Sequence, residues 1–255
     1  MPRGVLALLL LLAGVAGVAG VRAETLVASL STHRVAITSN YTGAEIVVFG
    51  AVERDQQTVA RAAGYDIVVT VRGPRRMTVV REKEKAGFIW LNISRRRFPE
   101  LPVYLVVQST RPTEDIADEM QRLRFKIGLD AILADPARRN EPSEVKFRDA
   151  LVRLKTEQGL FAENSRGVTF LTPTIFRAPI ILPAIAPTGN YEVEVALFSD
   201  GVLLTRQSTS FEVIKTGFEQ TTVELSRDHS LLYGASVGVL ALLFGWLATI
   251  IFRRD

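Results

Sequence analysis

Six arginines have the residue type and spacing best suited to binding an anion, because a guanidinium group binds an oxyanion through two parallel hydrogen bonds. They are Arg72, Arg75, Arg76, Arg95, Arg96 and Arg97. The last three follow a predicted strand, and the first three lie two strands earlier. If both groups lie at one end of a sheet, they can bind a small anion or the acidic surface of a partner. The alternative is that all six are solvated turn residues.

The sequence contains no recognisable catalytic constellation. It has no cysteine and two histidines, His33 and His229, so thiolate chemistry is excluded and a histidine-based metal site is disfavoured. The nucleophile motif G-x-S-x-G, the P-loop and the dinucleotide-binding motif are also missing. We therefore predict no catalytic residues, no metal and no cofactor. An enzyme of an unrecognised type stays open as an alternative.

The charge balance argues against nucleic acid as a partner. The whole chain is basic, with a pI of about 9.6, but four of its cations lie in the two terminal segments. Residues 24–230 carry 27 Lys and Arg against 26 Asp and Glu, so the middle of the chain is nearly neutral. A neutral domain lacks the electrostatic attraction to phosphate that nucleic-acid binding requires.

The amino-terminal segment has the features of a secretory signal peptide. Arg3 precedes an apolar run over residues 5–21, and Ala23 offers a small residue at the cleavage site. We predict a signal peptide over residues 1–23. The alternative is an uncleaved amino-terminal anchor.

The carboxy-terminal segment predicts a transmembrane helix. Residues 231–252 contain no charged side chain, and 22 helical residues suffice to cross a hydrocarbon core of about 30 Å. Arg253 and Arg254 follow this segment, so the positive-inside rule predicts a cytoplasmic tail and a periplasmic domain on a bacterial inner membrane.

Small residues recur on one face of this helix, where another membrane helix could pack. They are Gly234, Gly238, Ala241 and Gly245. The alternative is that glycine and alanine are common in membrane helices.

Short β-branched runs separated by turn residues predict strands throughout the middle of the chain. We predict strands over residues 25–30, 34–38, 45–51, 66–72, 77–82, 88–93 and 103–109, with turns at residues 83–87 and 98–102. Later strands are predicted over residues 167–171, 176–182, 191–198 and 202–213. The fold class is mainly β, with an immunoglobulin-like β-sandwich.

Helical spacing interrupts the strands between residues 111 and 160. One helix is predicted from Thr113 to about residue 135, and a second from a Ser143 cap to Gly159. The predicted segments are 1–23 (signal peptide), 24–110 (β-sandwich portion), 111–160 (helical insertion), 161–214 (returning strands), 215–230 (stalk), 231–252 (transmembrane helix) and 253–255 (tail). We favour one composite β unit with a helical insertion, and two independent domains are the alternative.

Short blocks at both ends carry a resemblance to a known family. The opening strand region Ser-Thr-His-Arg-Val-Ala-Ile-Thr-Ser-Asn-Tyr-Thr-Gly-Ala and the ending from Gly217 through Trp246 to Asp255 resemble the "putative transmembrane protein" family of alphaproteobacteria. The resemblance implies membrane location. The family has no established activity, and its genes tend to lie beside a permease resembling sulfite and organosulfonate exporters. The resemblance thus implies an accessory role at an anion permease. A periplasmic domain that binds or senses a small oxyanion is the alternative function.

Overall fold

The structure is a computed structural model that describes residues 24–38, 41–53, 64–134, 141–216 and 230–251. The predicted signal peptide (1–23), the tail (253–255) and residues 217–229 of the predicted stalk lie outside the described residues.

The described residues form mainly strands, which confirms the predicted mainly β class. The strands are β1 (Thr25–Leu30), β2 (Arg34–Ile37), β3 (Gly43–Glu53), β4 (Asp66–Arg72), β5 (Arg75–Ala86), β6 (Ile89–Pro102), β7 (Leu105–Ser109), β8 (Phe161–Asn164), β9 (Thr169–Phe170), β10 (Ile175–Pro183), β11 (Gly189–Ser199) and β12 (Val202–Lys215). The helices are α1 (Thr113–Ile116), α2 (Glu119–Phe125), α3 (Leu129–Leu133), α4 (Pro142–Glu157) and α5 (Ser230–Ile251).

Two larger sheets hold strands from both sides of the helical segment. One has the order β1-β3-β10-β9, and the other has the order β2-β12-β11-β4-β7-β8. A single cluster of buried apolar residues draws on both sheets, including Ile46 of β3, Phe176 of β10 and Val195 of β11. Polar contacts also join the sheets, since the Gln207 side chain accepts a hydrogen bond from the Ala28 amide at 2.6 Å. Burial of shared apolar surface therefore holds strands that are distant in sequence together.

A glycine in β3 allows close packing of an aromatic ring against the sheet. A Cβ atom added at Gly50 would lie 2.2 Å from the Phe176 ring and 2.9 Å from the Val27 carbonyl oxygen. Phe176 is fully buried and pairs with Gly50 across β3 and β10. The backbone and the buried ring leave no room for a methyl group.

We expect Gly50→Ala to lower the free energy of unfolding by about 1–3 kcal/mol, because overpacking a buried ring forces side chains off their rotamers. Urea unfolding of the full chain in detergent, followed by circular dichroism, measures this change. Gly87→Ala cannot serve as the control, because Gly87 has a φ of 66°, and alanine is strained in that conformation whatever its packing. Phe176→Leu in the Gly50→Ala background relieves the overlap and should restore part of the loss. Equal stability of Gly50→Ala and the natural protein would contradict the close packing.

Strands β4 to β7 form one continuous antiparallel ladder that extends far beyond the six-stranded sheet. Arg72 pairs with Leu105 at the end of these two strands in that sheet. The Gly73 amide then donates to the Tyr104 carbonyl at 2.8 Å, and the pairing continues to Ala86 and Ile89. The outer part is a two-stranded ribbon, residues 75–102, which we call the arm. Its strand β5 has 12 residues, so the arm is roughly 40 Å long at about 3.3 Å per residue.

Two predicted boundaries within this ladder are wrong. The predicted turn at residues 83–87 belongs to β5 up to Ala86, and the chain reverses at Gly87 and Phe88 instead. The predicted turn at residues 98–102 belongs to β6. The hydrogen bonds of the ladder satisfy the backbone of these polar and proline-containing stretches, so pairing overrides their local turn preference.

The predicted single helix from Thr113 to residue 135 is also wrong, since this stretch forms α1, α2 and α3. Asp118 interrupts it by capping α2, with its side chain accepting from the Gln121 amide at 2.7 Å. Lys126 then adopts left-handed geometry and ends α2, and Gly128 precedes α3 with a φ of 86°. Ile116 of α1 and Leu129 of α3 lie in the core, and Phe125 of α2 packs against it partly buried, but Met120 on the predicted apolar face is 79% exposed. Strand β8, parallel to β7, was not predicted.

Helix α4 agrees with the prediction apart from its start. It begins at Pro142 after Glu141, with no side-chain cap, whereas a Ser143 cap was predicted. Proline suits the first helical position because its missing N–H would have no partner there.

Helix α5 covers nearly the same residues as the predicted transmembrane helix, residues 231–252. Its described side chains are those of residues 234–235 and 237–248, and all of them are exposed. Taken over the described residues alone, no helix is both long enough and apolar enough to cross a membrane.

Candidate binding surface on the arm

The structure separates the six candidate arginines into two groups. Arg72 ends β4 and Arg75 and Arg76 begin β5, whereas the other three lie in the middle of β6. Arg95 pairs with Arg81, so its position is roughly 20 Å along the arm from Arg75 at about 3.3 Å per residue. The predicted strand end at residue 93 is wrong, and the two groups do not meet at one end of a sheet. Binding of an anion or a partner by these arginines stays a prediction.

Arg72 belongs to a buried ionic group with Glu194 of β11. The Arg72 Nη1 atom lies 2.7 Å from Glu194 Oε2, and each side chain is 13% exposed. Arg206 of β12 lies 2.9 Å from the other carboxylate oxygen. Burial raises the pKa of Glu194, but the hydrogen bonds from Arg72 and Arg206 outweigh burial and lower that pKa below its usual value. Arg72 is therefore neutralised within the sheet.

Arg96 attaches the arm to helix α4. Its Nε atom lies 2.6 Å from Oε2 of Glu144, whose side chain is only 4% exposed. Glu144 lies in the first turn of α4, where the helix dipole also favours a negative charge. A second ion pair joins Glu82 of β5 to Lys146. These two pairs attach one face of the arm to α4. Arg96, like Arg72, therefore already has a carboxylate partner.

A cavity of about 270 Å³ lies beside Arg96 and Arg97, between β6 and α3. Its lining includes both arginines, but it also includes Glu100 and the paired Glu144. Because Glu144 neutralises Arg96 and Glu100 offsets Arg97, the cavity has no net positive charge to attract a small anion. Arg75, Arg76, Arg95 and Arg97 are exposed, so these four remain accessible to a partner.

The outer arm carries a feature that the sequence predictions did not identify. Every residue from 83 to 93 whose side chain is described is exposed, and this stretch includes the apolar run Phe88-Ile89-Trp90-Leu91. Phe88 is fully exposed and Trp90 is 66% exposed. Four consecutive large apolar residues between the charged segments Glu82–Lys85 and Arg95–Arg97 were the available signal, because a strand with one wet face should alternate.

The small-residue face of α5 is accessible on the described helix. Gly234, Gly238, Ala241 and Gly245 are all exposed. A Cβ atom added at Gly234 or Gly238 would meet no other heavy atom within 4 Å. Packing of another helix on this face stays a prediction.

Metal ligands are not concentrated anywhere in the described part of the chain. No group of three or more His, Cys, Asp or Glu side chains in that part is placed to hold a metal ion.

The architecture is that of a mainly β protein with a long projecting arm and a carboxy-terminal helix. A family model described as "Putative transmembrane protein" (Alph_Pro_TM) matches residues 25–254. The chain belongs to this family. The match confirms the resemblance carried by the two ends of the sequence. A comparison with proteins of curated function found no match.

Proposed function

We propose that this chain is a single-pass inner-membrane protein whose periplasmic domain binds a partner without catalysing a reaction. The partner class we propose is an integral membrane protein, namely an anion permease of the sulfite or sulfonate type. The observation that carries the proposal is the arm, which leaves the six-stranded sheet and exposes both cationic and apolar side chains. An extended ribbon with such a surface suits binding of a macromolecule better than enclosure of a substrate.

The strand order supports an immunoglobulin-like domain. The order β1-β3-β10-β9 corresponds to strands A-B-E-D of that fold, and β12-β11-β4 corresponds to G-F-C. Tyr191, near the start of β11, donates its hydroxyl proton to the Pro187 carbonyl at 2.6 Å. This contact has the form of the tyrosine corner found in such sandwiches. In this correspondence the arm is an insertion after strand C. Insertions into loops of this fold commonly carry binding functions.

The ends of the sequence support the proposed topology. Residues 1–23 have the composition of a signal peptide, which directs the following domain to the periplasm. Residues 231–252 are uncharged and long enough to cross the inner membrane, and Arg253 and Arg254 favour a cytoplasmic tail. The proposed orientation is thus the same from both ends.

The geometry favours partner binding over the alternative of small-oxyanion binding. Arg72 and Arg96 are each paired with a carboxylate, and two glutamates line the cavity beside Arg96. The exposed cations lie along an open ribbon, where an acidic protein surface can contact several of them at once. Electrostatic complementarity of this kind speeds association and selects the partner.

Co-purification from the native membrane tests the proposal. The full chain is extracted in mild detergent and bound proteins are identified, first for the natural protein and then for Arg95→Ser/Arg97→Ser. We expect a specific membrane partner with the natural protein and much less of it with the double variant. Arg177→Ser is the matched control, because Arg177 is exposed on β10 of the other sheet.

Gly238→Leu tests the face of α5 in the same experiment, with Val239→Leu as its control on a different side of the helix. Purification of the natural chain without a membrane partner contradicts the proposed function. Retention of the partner by both the arm variant and the helix variant places the contact elsewhere on the chain.

A further inference from the structure

The end of the arm is an apolar tip, residues 87–91, which no other described part of the chain covers. Phe88, Ile89, Trp90 and Leu91 are all exposed. Their run is charge-free from residue 86 to residue 94. A soluble domain has no reason to place two large aromatic and two branched aliphatic side chains at the end of a ribbon in water, because their exposure is unfavourable.

Cations lie along one face of the arm behind this tip, because residues two apart on a strand and directly paired residues share a face. Arg81, Lys83 and Lys85 on β5 and Arg95 on β6 are exposed. Over its whole length the arm carries eight Lys and Arg against three Asp and Glu. Glu84, the acid nearest the tip, accepts a hydrogen bond from Ser94 Oγ at 3.1 Å, and this bond holds its carboxylate back toward the body of the arm.

This combination matches the chemistry of a lipid bilayer with anionic headgroups. Trp and Phe favour the boundary between headgroups and acyl chains, and lysine side chains extend to the phosphates while their stems stay in apolar surroundings. From the Lys83 and Asn92 pair, the ladder continues for three residue pairs to Ala86 and Ile89. At about 3.3 Å per residue this is roughly 10 Å, the depth to which interfacial segments insert.

The topology directs the arm toward the same side as the membrane-anchoring segment. Strands β4 and β12 are both antiparallel neighbours of β11, so they run in the same direction. Arg72 at the end of β4 pairs with Glu192, and Val213 near the end of β12 pairs with Gly189. The arm and the chain that continues to α5 therefore leave the sheet from the same end.

We infer that the tip of the arm inserts into the anionic lipid interface of the membrane that anchors the chain. Phe88, Ile89 and Trp90 enter the boundary of the acyl chains, and the cations behind them bind lipid phosphates. The domain is thereby held to the membrane at a second point besides α5. This inference rests on the membrane anchoring in the proposed function, but it requires no permease or other protein partner.

Quenching of Trp90 fluorescence tests the insertion in the full chain. The sequence has two tryptophans, Trp90 and Trp246, so Trp246→Phe leaves Trp90 as the single reporter. This variant is placed in nanodiscs of phosphatidylethanolamine and phosphatidylglycerol with brominated acyl chains. We expect a blue-shifted Trp90 emission, loss of emission on bromination and protection from iodide in the water. Lys83→Gln/Lys85→Gln should weaken the bromine quenching, because the attraction to phosphatidylglycerol decreases.

The matched control carries Trp90→Phe, Trp246→Phe and Val202→Trp. Val202 is exposed and lies beside the turn that joins β11 and β12. This turn is close to the pair of Phe198 with Asp66, the first residue of β4, so it lies at the opposite end of the sheet from the arm. The tryptophan introduced at position 202 should emit as in water, and brominated lipids should not quench it. Far-UV circular dichroism checks that each variant keeps its β structure.

Two results overturn the inference. Trp90 emission as in water, quenched by iodide and not by brominated lipid, means that the tip does not insert. A blue-shifted Trp90 without bromine quenching means that a second copy or another protein covers the tip. In both cases co-purification of a permease by the natural chain would still support the proposed function, so the two failures are distinguishable.

Discussion

Replacing Arg96 by alanine is expected to lower the free energy of unfolding by about 3–5 kcal/mol, the cost of leaving a buried carboxylate without its counter-charge. The carboxylate is that of Glu144, whose side chain is 4% exposed and lies 2.6 Å from Arg96 Nε. The substitution also removes an attachment of the arm to α4. Urea unfolding of the full chain in mild detergent, followed by far-UV circular dichroism, measures the loss. Hydrogen exchange should additionally increase in β5 and β6.

The neighbouring arginine provides the control for this prediction. Arg97 lies beside Arg96 in sequence but its side chain is exposed, so Arg97→Ala should change the free energy of unfolding by no more than about 0.5 kcal/mol. Arg96→Met combined with Glu144→Leu should recover much of the loss, because no buried charge is left unpaired. Equal losses for Arg96→Ala and Arg97→Ala would show that the pair with Glu144 does not stabilise the fold.

Replacing Glu194 by alanine is expected to have a comparable effect, about 3–5 kcal/mol, because it leaves the mostly buried Arg72 facing a second cation, Arg206. Arg206→Ala should cost less, since Glu194 keeps its 2.7 Å contact with Arg72. Arg206 is also 41% exposed, so water screens its contribution. The same unfolding measurement compares the two variants. A larger loss for Arg206→Ala than for Glu194→Ala would contradict the central position of the carboxylate.

The pH dependence of stability gives an independent test of this ionic group. The folded pKa of Glu194 is lowered, so its charge contributes stability above the unfolded pKa of about 4.3. That contribution is lost as the pH falls through the folded pKa, because the unfolded chain binds the proton first. The Glu194→Gln variant has no ionisable side chain at this position. Its free energy of unfolding should be lower than that of the natural protein at pH 7, and the difference should shrink on acidification below about pH 4.3. A difference that stays constant over this range would contradict the lowered pKa.

The elements that sequence patterns predicted well are those with strong local signals. Strands β1 and β4 have the predicted bounds, and Gly73 and Pro74 mark the end of β4. Helix α4 was predicted to within a residue or two because its polar and apolar positions alternate with helical spacing and Gly159 follows it. In these segments the local preference and the tertiary environment agree, so a pattern within a dozen residues suffices.

The arm shows why other parts could not be predicted in the same way. Its residues 83–87 and 98–102 contain charges, glycine and proline, which favour turns in isolation. In the folded chain each of these stretches pairs with the opposite strand of the ladder, and the hydrogen bonds between strands outweigh the local preference. The partners of residues 98–102 are Arg75, Arg76 and Thr78, which a local window does not contain. Residues 83–86 pair with residues 89–92 across the turn at Gly87 and Phe88, so there the charged composition, and not distance along the chain, concealed the strand.

The candidate site was limited by the same property. Residue types identified six arginines that could bind an anion or a partner, but not their neighbours in space. The partner of Arg72 is 122 positions away at Glu194, and the partner of Arg96 lies on a helix that follows the arm. Only the tertiary structure separates these two paired arginines from the exposed Arg75, Arg76, Arg95 and Arg97.

The sequence by itself determined the mainly β class, the near-neutral charge of residues 24–230, the apolar segment at residues 231–252 and the membership of a family described as transmembrane. These properties depend on composition, local periodicity and order along the chain. The tertiary structure alone decided the continuous ladder of the arm, the two ionic attachments and the exposure of Phe88 to Leu91. The ionic contacts join residues distant in sequence, such as Arg96 with Glu144, and the ladder and the exposure depend on which residues folding brings together, because burial and charge pairing are set by those neighbours.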